Sequence, residues 1–251
     1  PIMTKLLIDA DVLCYKVASA VEYAHRWDNG IWTYTADEQE AFDTADTLLA
    51  TWGEEFGADS ETDAILCFSS PTNFRKKIYP DYKANRKASR KPLVFPILRS
   101  YLLHEYESRE KPDLEADDVM GILATKMKSE TVIVTIDKDL RQIPGKVWNP
   151  DKPAELHEVT PEAGEYLFYL QTLTGDRVDN YPGCPGLGEV RARRLLDKAI
   201  EEEQPIWEAI VAAYEKAGFD EDYALVQARL ARILRNTDYD FDKREVILWT
   251  P

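Results

Sequence analysis

An α/β fold with a mainly parallel central sheet, covering helices and a helical C-terminal region is predicted by three observations. Short apolar runs alternate with amphipathic stretches over roughly the first 160 residues, which is the rhythm of β–α units. Two of those runs end directly in acids, at Asp9 and at Asp137, and the carboxyl ends of parallel strands are where such sheets gather ligands. From Pro161 onward the helical period takes over almost entirely.

Taken in order, Lys5–Ile8 reads as a buried strand and about Val12 to Tyr23 as a helix. Ala36 to Phe56 is rich in Ala, Glu and Leu with a helical period, and Asp63–Phe68 is a second strand. Pro92 to about Tyr106 is helical with proline at its start, where a missing N–H costs nothing. A helix from about Leu114 to Lys128 feeds the strand Thr131–Ile136. Four further helices are expected at about 161–174, 188–200, 205–217 and 221–235. The expected division is an α/β core over 1–160, carrying a basic segment at about 74–112, and a helical region over 161–251 that belongs to the same fold. There is no internal repeat and no low-complexity tract.

With 44% hydrophobic residues among 251, the chain can bury a core, which excludes a disordered polypeptide. Its three cysteines, Cys14, Cys67 and Cys184, are scattered, which excludes a disulfide framework or a Cys-rich zinc site. No apolar run approaches the roughly 20 residues of a membrane span, and the start lacks a signal-peptide layout. A monomer in the cytoplasm is expected. The net charge of −15 argues against nucleic acid as a partner until its distribution is considered. Between Phe74 and Lys91 lie eight Lys/Arg and one acid, a local +7 that leaves −22 for the rest. Such a chain is suited to meet a polyanion at one place.

The acids fall into four clusters: Asp9 with Asp11, Glu115 with Asp117 and Asp118, Asp137 with Asp139, and Asp176 with Asp179. Oxygen ligands at strand ends and helix starts suit a hard divalent cation, so the pattern suggests a metal-dependent phosphoryl-transfer site. Two of the clusters also have a plainer explanation. Asp11 is as suited to capping the following helix as to binding a metal. Acids at 115–118 would complement a helix dipole, although Glu115 and Asp118 lie near one helix face. Asp137-Lys138-Asp139 fails as an EF-hand, because Arg141 and Gln142 stand where a ligand and a glycine are required.

The stretch Gly175 to Gly188, followed by Arg191, Arg193 and Arg194, combines a Gly/Pro hairpin with a basic helix. Free backbone N–H groups at such a helix start can hold a phosphate without reading sequence. In the basic segment, Phe74, Ile78, Tyr79 and Tyr82 are interleaved with the cations, which allows stacking on bases.

These residues together resemble the structure-specific 5′-nuclease superfamily, the flap endonucleases and polymerase-associated 5′-nucleases, and above all the small 5′→3′ exonucleases of T-odd phages. The likeness is carried, in order, by Leu6-Leu-Ile-Asp-Ala-Asp11, Phe74-Arg-Lys76 with Tyr82-Lys83-x-x-Arg86, Leu114-Glu-Ala-Asp-Asp-Val-Met-Gly121, Asp137-Lys-Asp139, Gly175-Asp-x-x-Asp179 and Pro185-Gly-Leu-Gly188. It implies a PIN-like nuclease core with a helix–three-turn–helix. It implies hydrolysis of phosphodiesters near DNA 5′ ends or flaps with two Mg²⁺ or Mn²⁺ ions, and leaves activity on RNA–DNA hybrids open. A location in the host-cell cytoplasm follows if the chain is phage-encoded.

By the same likeness, Asp9, Glu115, Asp117, Asp118, Asp137, Asp139, Asp176 and Asp179 form the metal site, and Lys83 and Arg86 act on the scissile phosphate from the basic arch. DNA contacts are expected from Arg75, Lys76, Tyr82, Lys87, Gly183, Gly186, Gly188, Arg191, Arg193 and Arg194, with K⁺ at the three-turn motif. One family carboxylate, just after the second strand, is replaced by Ser69-Ser70. Two rivals stand beside this reading: a haloacid-dehalogenase-type phosphatase built on Asp9-x-Asp11, and a non-catalytic DNA-binding relative.

Overall fold

The structure, a computed structural model, describes residues 4–127 and 130–251. The chain runs through β1 (Lys5–Asp9), α1 (Ala10–Ala20), β2 (Glu22–Arg26), β3 (Trp32–Ala36), α2 (Glu38–Glu55), β4 (Ala64–Phe68) and a short α3 (Phe74–Ile78). Next come α4 (Phe95–Glu105), β5 (Ser108–Glu110), α5 (Ala116–Lys126), β6 (Thr131–Val134), β7 (Gly145–Trp148) and β8 (Leu156–Val159). The remainder is α6 (Pro161–Thr174), α7 (Glu189–Glu201), α8 (Ile206–Lys216), α9 (Glu221–Ala231), β9 (Tyr239–Asp240) and β10 (Glu245–Val246).

The main sheet has the order β5-β4-β1-β6-β7-β8, parallel except for β8 at its edge. β1 lies in the middle, in register with β4 from Leu6↔Ala64 and with β6 from Lys5↔Thr131. Its Leu6-Leu7-Ile8 run is fully buried, as a strand covered on both faces requires. Alternation then divides the core. Leu6 and Ile8 pack under α1, α2 and α4, while Leu7 points to the other side, against α5 residues Val119, Met120 and Ile122. After β1 the chain builds outward to β4 and β5, then recrosses through α5 to β6 on the opposite flank. The winding therefore reverses beside β1, and the crevice beyond its carboxyl end is the natural ligand site of such a sheet.

Helices α6 to α9 enclose a third core around Leu173, Leu196, Ile210 and Tyr214. The chain after α9 returns to the first region, where Ile233, Leu234 and Tyr239 join the α5 side of the sheet. The approach is close enough that a Cβ on Gly121 would lie 2.3 Å from the Leu234 carbonyl oxygen. The helical region is thereby tied into the sheet domain.

Several boundaries differ from expectation, each for a local reason. α1 begins at Ala10 because Asp9 caps it. β6 ends at Val134, leaving Thr135 and Ile136 outside the ladder. α5 ends at Lys126, and Lys128, the expected end, lies outside the described residues. α9 stops at Ala231 rather than 235, since residues beyond it turn extended to re-enter the core. The β2–β3 hairpin and strands β5, β7 and β8 were not expected. The basic arch expected over 74–112 is also narrower. α4 buries Leu98 and Leu102 in the core and β5 pairs with β4, so only about 79–94 lies outside regular structure.

Candidate active site

Beyond the carboxyl ends of β1 and β6 lies a cleft of about 530 Å³ with acids on one wall and cations on the other. Asp9 is nearly buried at the end of β1; it accepts the Val12 N–H at 3.3 Å and the Thr135 hydroxyl at 2.9 Å. Asp9 and not Asp11 is therefore the helix cap. Asp11 instead accepts the Ser69 N–H at 3.0 Å, reaching across to the end of β4. Asp137 accepts the Asp139 N–H at 2.9 Å and starts the short 3₁₀ turn that presents both acids. Asp176 binds the Val178 and Asp179 N–H groups with one oxygen, which shapes the loop after α6.

Burial in this cleft pushes the Asp9 carboxyl up to about 7, with Asp11 and Asp137 adding repulsion that the Thr135 and Val12 bonds only partly offset. Asp139 rises to about 6 through burial and then through Asp137 and Asp176. Asp117 and Asp137 are raised too, again first by burial and then by neighbouring acids. Burial and mutual repulsion thus favour the protonated form of all four carboxyls. Glu115 behaves in the opposite way. Burial alone would raise it, but Arg75 and Lys83 override this and hold it at about 2.

The opposite wall is built from the basic segment. Lys83, at φ +56°, pairs through its ammonium with Glu115 and lies 3.7 Å from Asp179. Arg86 donates to Asp179 at 2.7 Å. Among the described residues, no three acids, histidines or cysteines are drawn together as a ready-made metal cage. Carboxylates repel one another, and here Glu115 and Asp179 are held by Lys83 and Arg86 instead.

Four of the expected site residues take other roles. Asp118 is fully buried and away from the cleft: Arg75 grips both its oxygens at 2.7 Å, and the Glu115 and Leu234 N–H groups complete its shell. Arg75 is correspondingly buried, donating also to the Leu230 and Arg232 carbonyls, and is not free for a DNA phosphate. Tyr82 is buried too; its hydroxyl lies 3.0 Å from Glu115 and 3.2 Å from Asp179, so its ring cannot stack on a base. Gly183, at φ +64°, is there for a close crossing. A Cβ would meet the Gly175 nitrogen at 2.3 Å, and its own N–H is spent on Gln227.

The other expected contacts remain on the surface. Lys76 and Lys87 are exposed. Gly186, Gly188, Arg191, Arg193 and Arg194 are exposed at the start of α7, beside a second cleft that shares Asp176 and Tyr181 with the first. Arg191 caps the Gly186 carbonyl at 3.2 Å, and Arg193 pairs with Glu189. Ser69 lines the first cleft, and its hydroxyl accepts the Ala116 N–H at 2.9 Å; Ser70 is turned to Thr72. Thr135 and the fully buried Gln142, which bridges Ala231 and Ile233, were not anticipated. An isolated Thr or Gln in sequence carries no signal for such a role.

A mainly parallel α/β sheet with an acid–base cleft at its point of reversal is the general class, with the ligand site where such sheets place it. Residues 4–163 match the family model described as "5'-3' exonuclease, N-terminal resolvase-like domain", and the chain belongs to the 5′-3′ exonuclease family. It is 29% identical to the exodeoxyribonuclease of Enterobacteria phage T3, over 98% of this chain and 92% of that protein. Identity to the exonuclease of Escherichia phage T7 is 28%, over 98% and 93%. Thermostable DNA polymerase I of Thermus aquaticus is 31% identical over 77% of this chain and 24% of that protein.

Among solved structures, the T5 D15 protein co-crystallised with metal ions superposes with a TM-score of 0.65 at 12% identity, covering 93% of this chain and 90% of that one. The catalytic core of Rad2 in complex with DNA substrate gives 0.55 at 14%, covering 94% and 81%. At such identities these two likenesses bear on the fold alone. Family membership sets the phosphatase rival aside.

Proposed function

We propose that the chain hydrolyses phosphodiester bonds at or near DNA 5′ ends, as a 5′→3′ exonuclease and flap endonuclease that requires Mg²⁺ or Mn²⁺. The observation that carries this is the cleft itself. Four carboxyls are driven upward by burial and mutual repulsion, and they face an ammonium and a guanidinium that emerge from a basic segment. An all-oxygen donor set of this kind fits a hard divalent ion.

Asp9, Glu115, Asp117, Asp137, Asp139, Asp176 and Asp179 would hold two such ions. When bound, they would supply Lewis acidity to water and to the phosphoryl oxygens. The remaining roles belong to the chain. Thr135 and the Val12 N–H fix the Asp9 carboxyl, and the Asp139 N–H fixes that of Asp137. Lys83 and Arg86, released from Glu115 and Asp179, would meet charge developing on the phosphate. Lys76 and Lys87 would follow the strand leading to the cut. The start of α7, with Gly186, Gly188, Arg191, Arg193 and Arg194, would hold duplex backbone through free N–H groups and cations, with K⁺ at its carbonyls.

RNA–DNA hybrids are included among the substrates, because these contacts are to backbone. The protein acts as a monomer, with the nuclease core over 1–160 and the duplex-binding helices over 161–251. Among the described residues no helix is long and apolar enough to cross a membrane.

The test is cleavage of 5′-labelled blunt, nicked, 5′-flap and hybrid substrates in chelator, Mg²⁺ and Mn²⁺, with products sized. Products should appear only with metal and should begin at the 5′ end. Turnover in excess chelator, or digestion from 3′ ends alone, would refute the proposal.

A further inference from the structure

The β2–β3 hairpin takes no part in the cleft, yet five exposed large apolar side chains lie in it: Tyr23, Trp27, Ile31, Trp32 and Tyr34. Its register separates two faces. Pairing of Tyr23 with Thr35 and of His25 with Thr33 places those residues on one side, and Trp27 joins them by packing edge-on to His25 at 4.7 Å. That side satisfies itself. The Tyr23 hydroxyl bonds Glu40 of α2, and the Trp27 N–H bonds the Thr33 hydroxyl, both at 3.0 Å.

The other side carries Arg26 opposite Trp32, Ala24 opposite Tyr34, and Glu22 opposite Ala36. Every ring there has a cation beside it. Arg26 lies 6.0 Å from the Trp32 ring, and Arg90 lies over Tyr34 at 3.8 Å. Arg90 also grips Glu22, which accepts the Leu93 N–H at 2.7 Å as well. The one acid on this face is thus neutralised. The same contacts fasten the hairpin to the basic segment whose other end reaches the cleft at Arg86. Arg90 lies four positions beyond Arg86, so at most about 14 Å of chain lies between cleft and hairpin, with Lys87 along it.

We propose that this face is a stacking platform for single-stranded DNA, Trp32 and Tyr34 each taking an unpaired base while Arg26, Lys87 and Lys91 follow the phosphates. Trp32 and Tyr34 are 52% and 37% exposed. Two residues apart on one strand face, they stand about 7 Å from each other, a spacing for separate bases of an extended strand. Rings flanked by arginines combine base stacking with backbone charge, which is how single strands are held without sequence preference. The platform rests on the nuclease reading in one respect: the strand it holds is the unpaired one at the cleft.

The test is binding in Ca²⁺, by fluorescence anisotropy, of oligothymidylate, of a duplex with a 5′ single-stranded overhang and of a blunt duplex. Trp32→Ala should weaken oligothymidylate and the overhang duplex by about tenfold, several times more than it weakens the blunt duplex. Trp32→Phe should recover most of the loss, and Trp27→Ala, on the opposite face, should bind as wild type does. Equal losses on overhang and blunt duplex, equal losses for Trp27→Ala and Trp32→Ala, or wild-type affinity of Trp32→Ala would each overturn the platform. Failure of the wild-type protein to cut 5′-labelled DNA in Mn²⁺ would overturn the nuclease reading alone, since the platform is read by binding.

Discussion

The two walls of the cleft are built by different means. The acids Asp9 and Asp137 stand at or just beyond the ends of strands that are paired in parallel at the buried centre of the sheet. The cations come from a segment that is mostly outside regular structure, and it divides its charges between two tasks. Arg75, at the start of that segment, is spent on the buried Asp118 and two carbonyls, whereas Lys76 beside it is exposed. Half-buried Lys83 and exposed Arg86 pair across the cleft with acids that a divalent ion would claim. A carboxylate at a strand end is placed by the sheet; a cation in a charge run is placed only by whichever partner the tertiary fold brings to it.

The largest effect should come from the acidic wall. Asp117→Asn or Asp137→Asn should lower single-turnover cleavage by at least about 100-fold, since an amide is a poorer ligand of nearly the same shape. Folding, followed by circular dichroism, should be unchanged. Near-normal turnover of either variant at saturating Mg²⁺ would show that its carboxylate does not belong to the site.

The same comparison predicts the reverse for Arg75→Ala. Removing the guanidinium strands the Asp118 carboxylate at zero exposure, and breaking a buried pair in this way costs about 3–5 kcal/mol. Urea denaturation should show that loss, whereas Lys76→Ala should change stability by less than about 0.5 kcal/mol. If the two variants proved equally stable, the split of the basic segment into a buried and an exposed part would be wrong.

How much of this was legible beforehand follows the same division. Asp9, Asp117, Asp137 and Asp139 could be read because strand pattern and acid spacing are local signals, and the structure places all four on the cleft. Asp118 could not be told from Asp117, because both fit a helix start; only the arrival of Arg75 and of Leu234 from the far end of the chain decides between them. The same holds for Tyr82, whose burial depends on Glu115 and Asp179, and for Gly183, whose glycine serves Gly175 rather than a phosphate. The hairpin at 22–36 escaped because its strands alternate weakly and bury almost nothing, so periodicity gives no sign of them.

A smaller effect is expected from pH. Asp9 at about 7 and Asp139 at about 6 lie above their unfolded values, so the native state holds more protons than the unfolded chain in that interval. The stability they contribute is present below about pH 4 and is lost as pH rises through 6 to 7. Glu115, held at about 2, changes protonation only below that interval. In chelator, the melting temperature should therefore fall between pH 5 and pH 8, and added Mg²⁺ should recover most of the loss by neutralising the same carboxylates. A metal-free melting temperature that is flat or rising over that range would contradict the strained acidic wall.

The smallest effect sharpens the comparison most, because it separates exposed cations from those at the chemistry. Lys87 is exposed and Lys76 likewise, so each should act on DNA only through backbone phosphates and the counterions they release. Alanine at either should lower the slope of log K against log salt by about 1, alike for all sequences, and leave the single-turnover rate at saturating DNA unchanged. Lys83 and Arg86 should differ in kind. They face Glu115 and Asp179 in the cleft, so their loss should reduce the single-turnover rate more than the affinity measured in Ca²⁺. Measuring salt slope and rate on the same four variants places each on one side of the division. If Lys87→Ala lowered the rate while Lys83→Ala changed only the salt slope, the cations would have been assigned to the wrong tasks, although the acidic wall would stand.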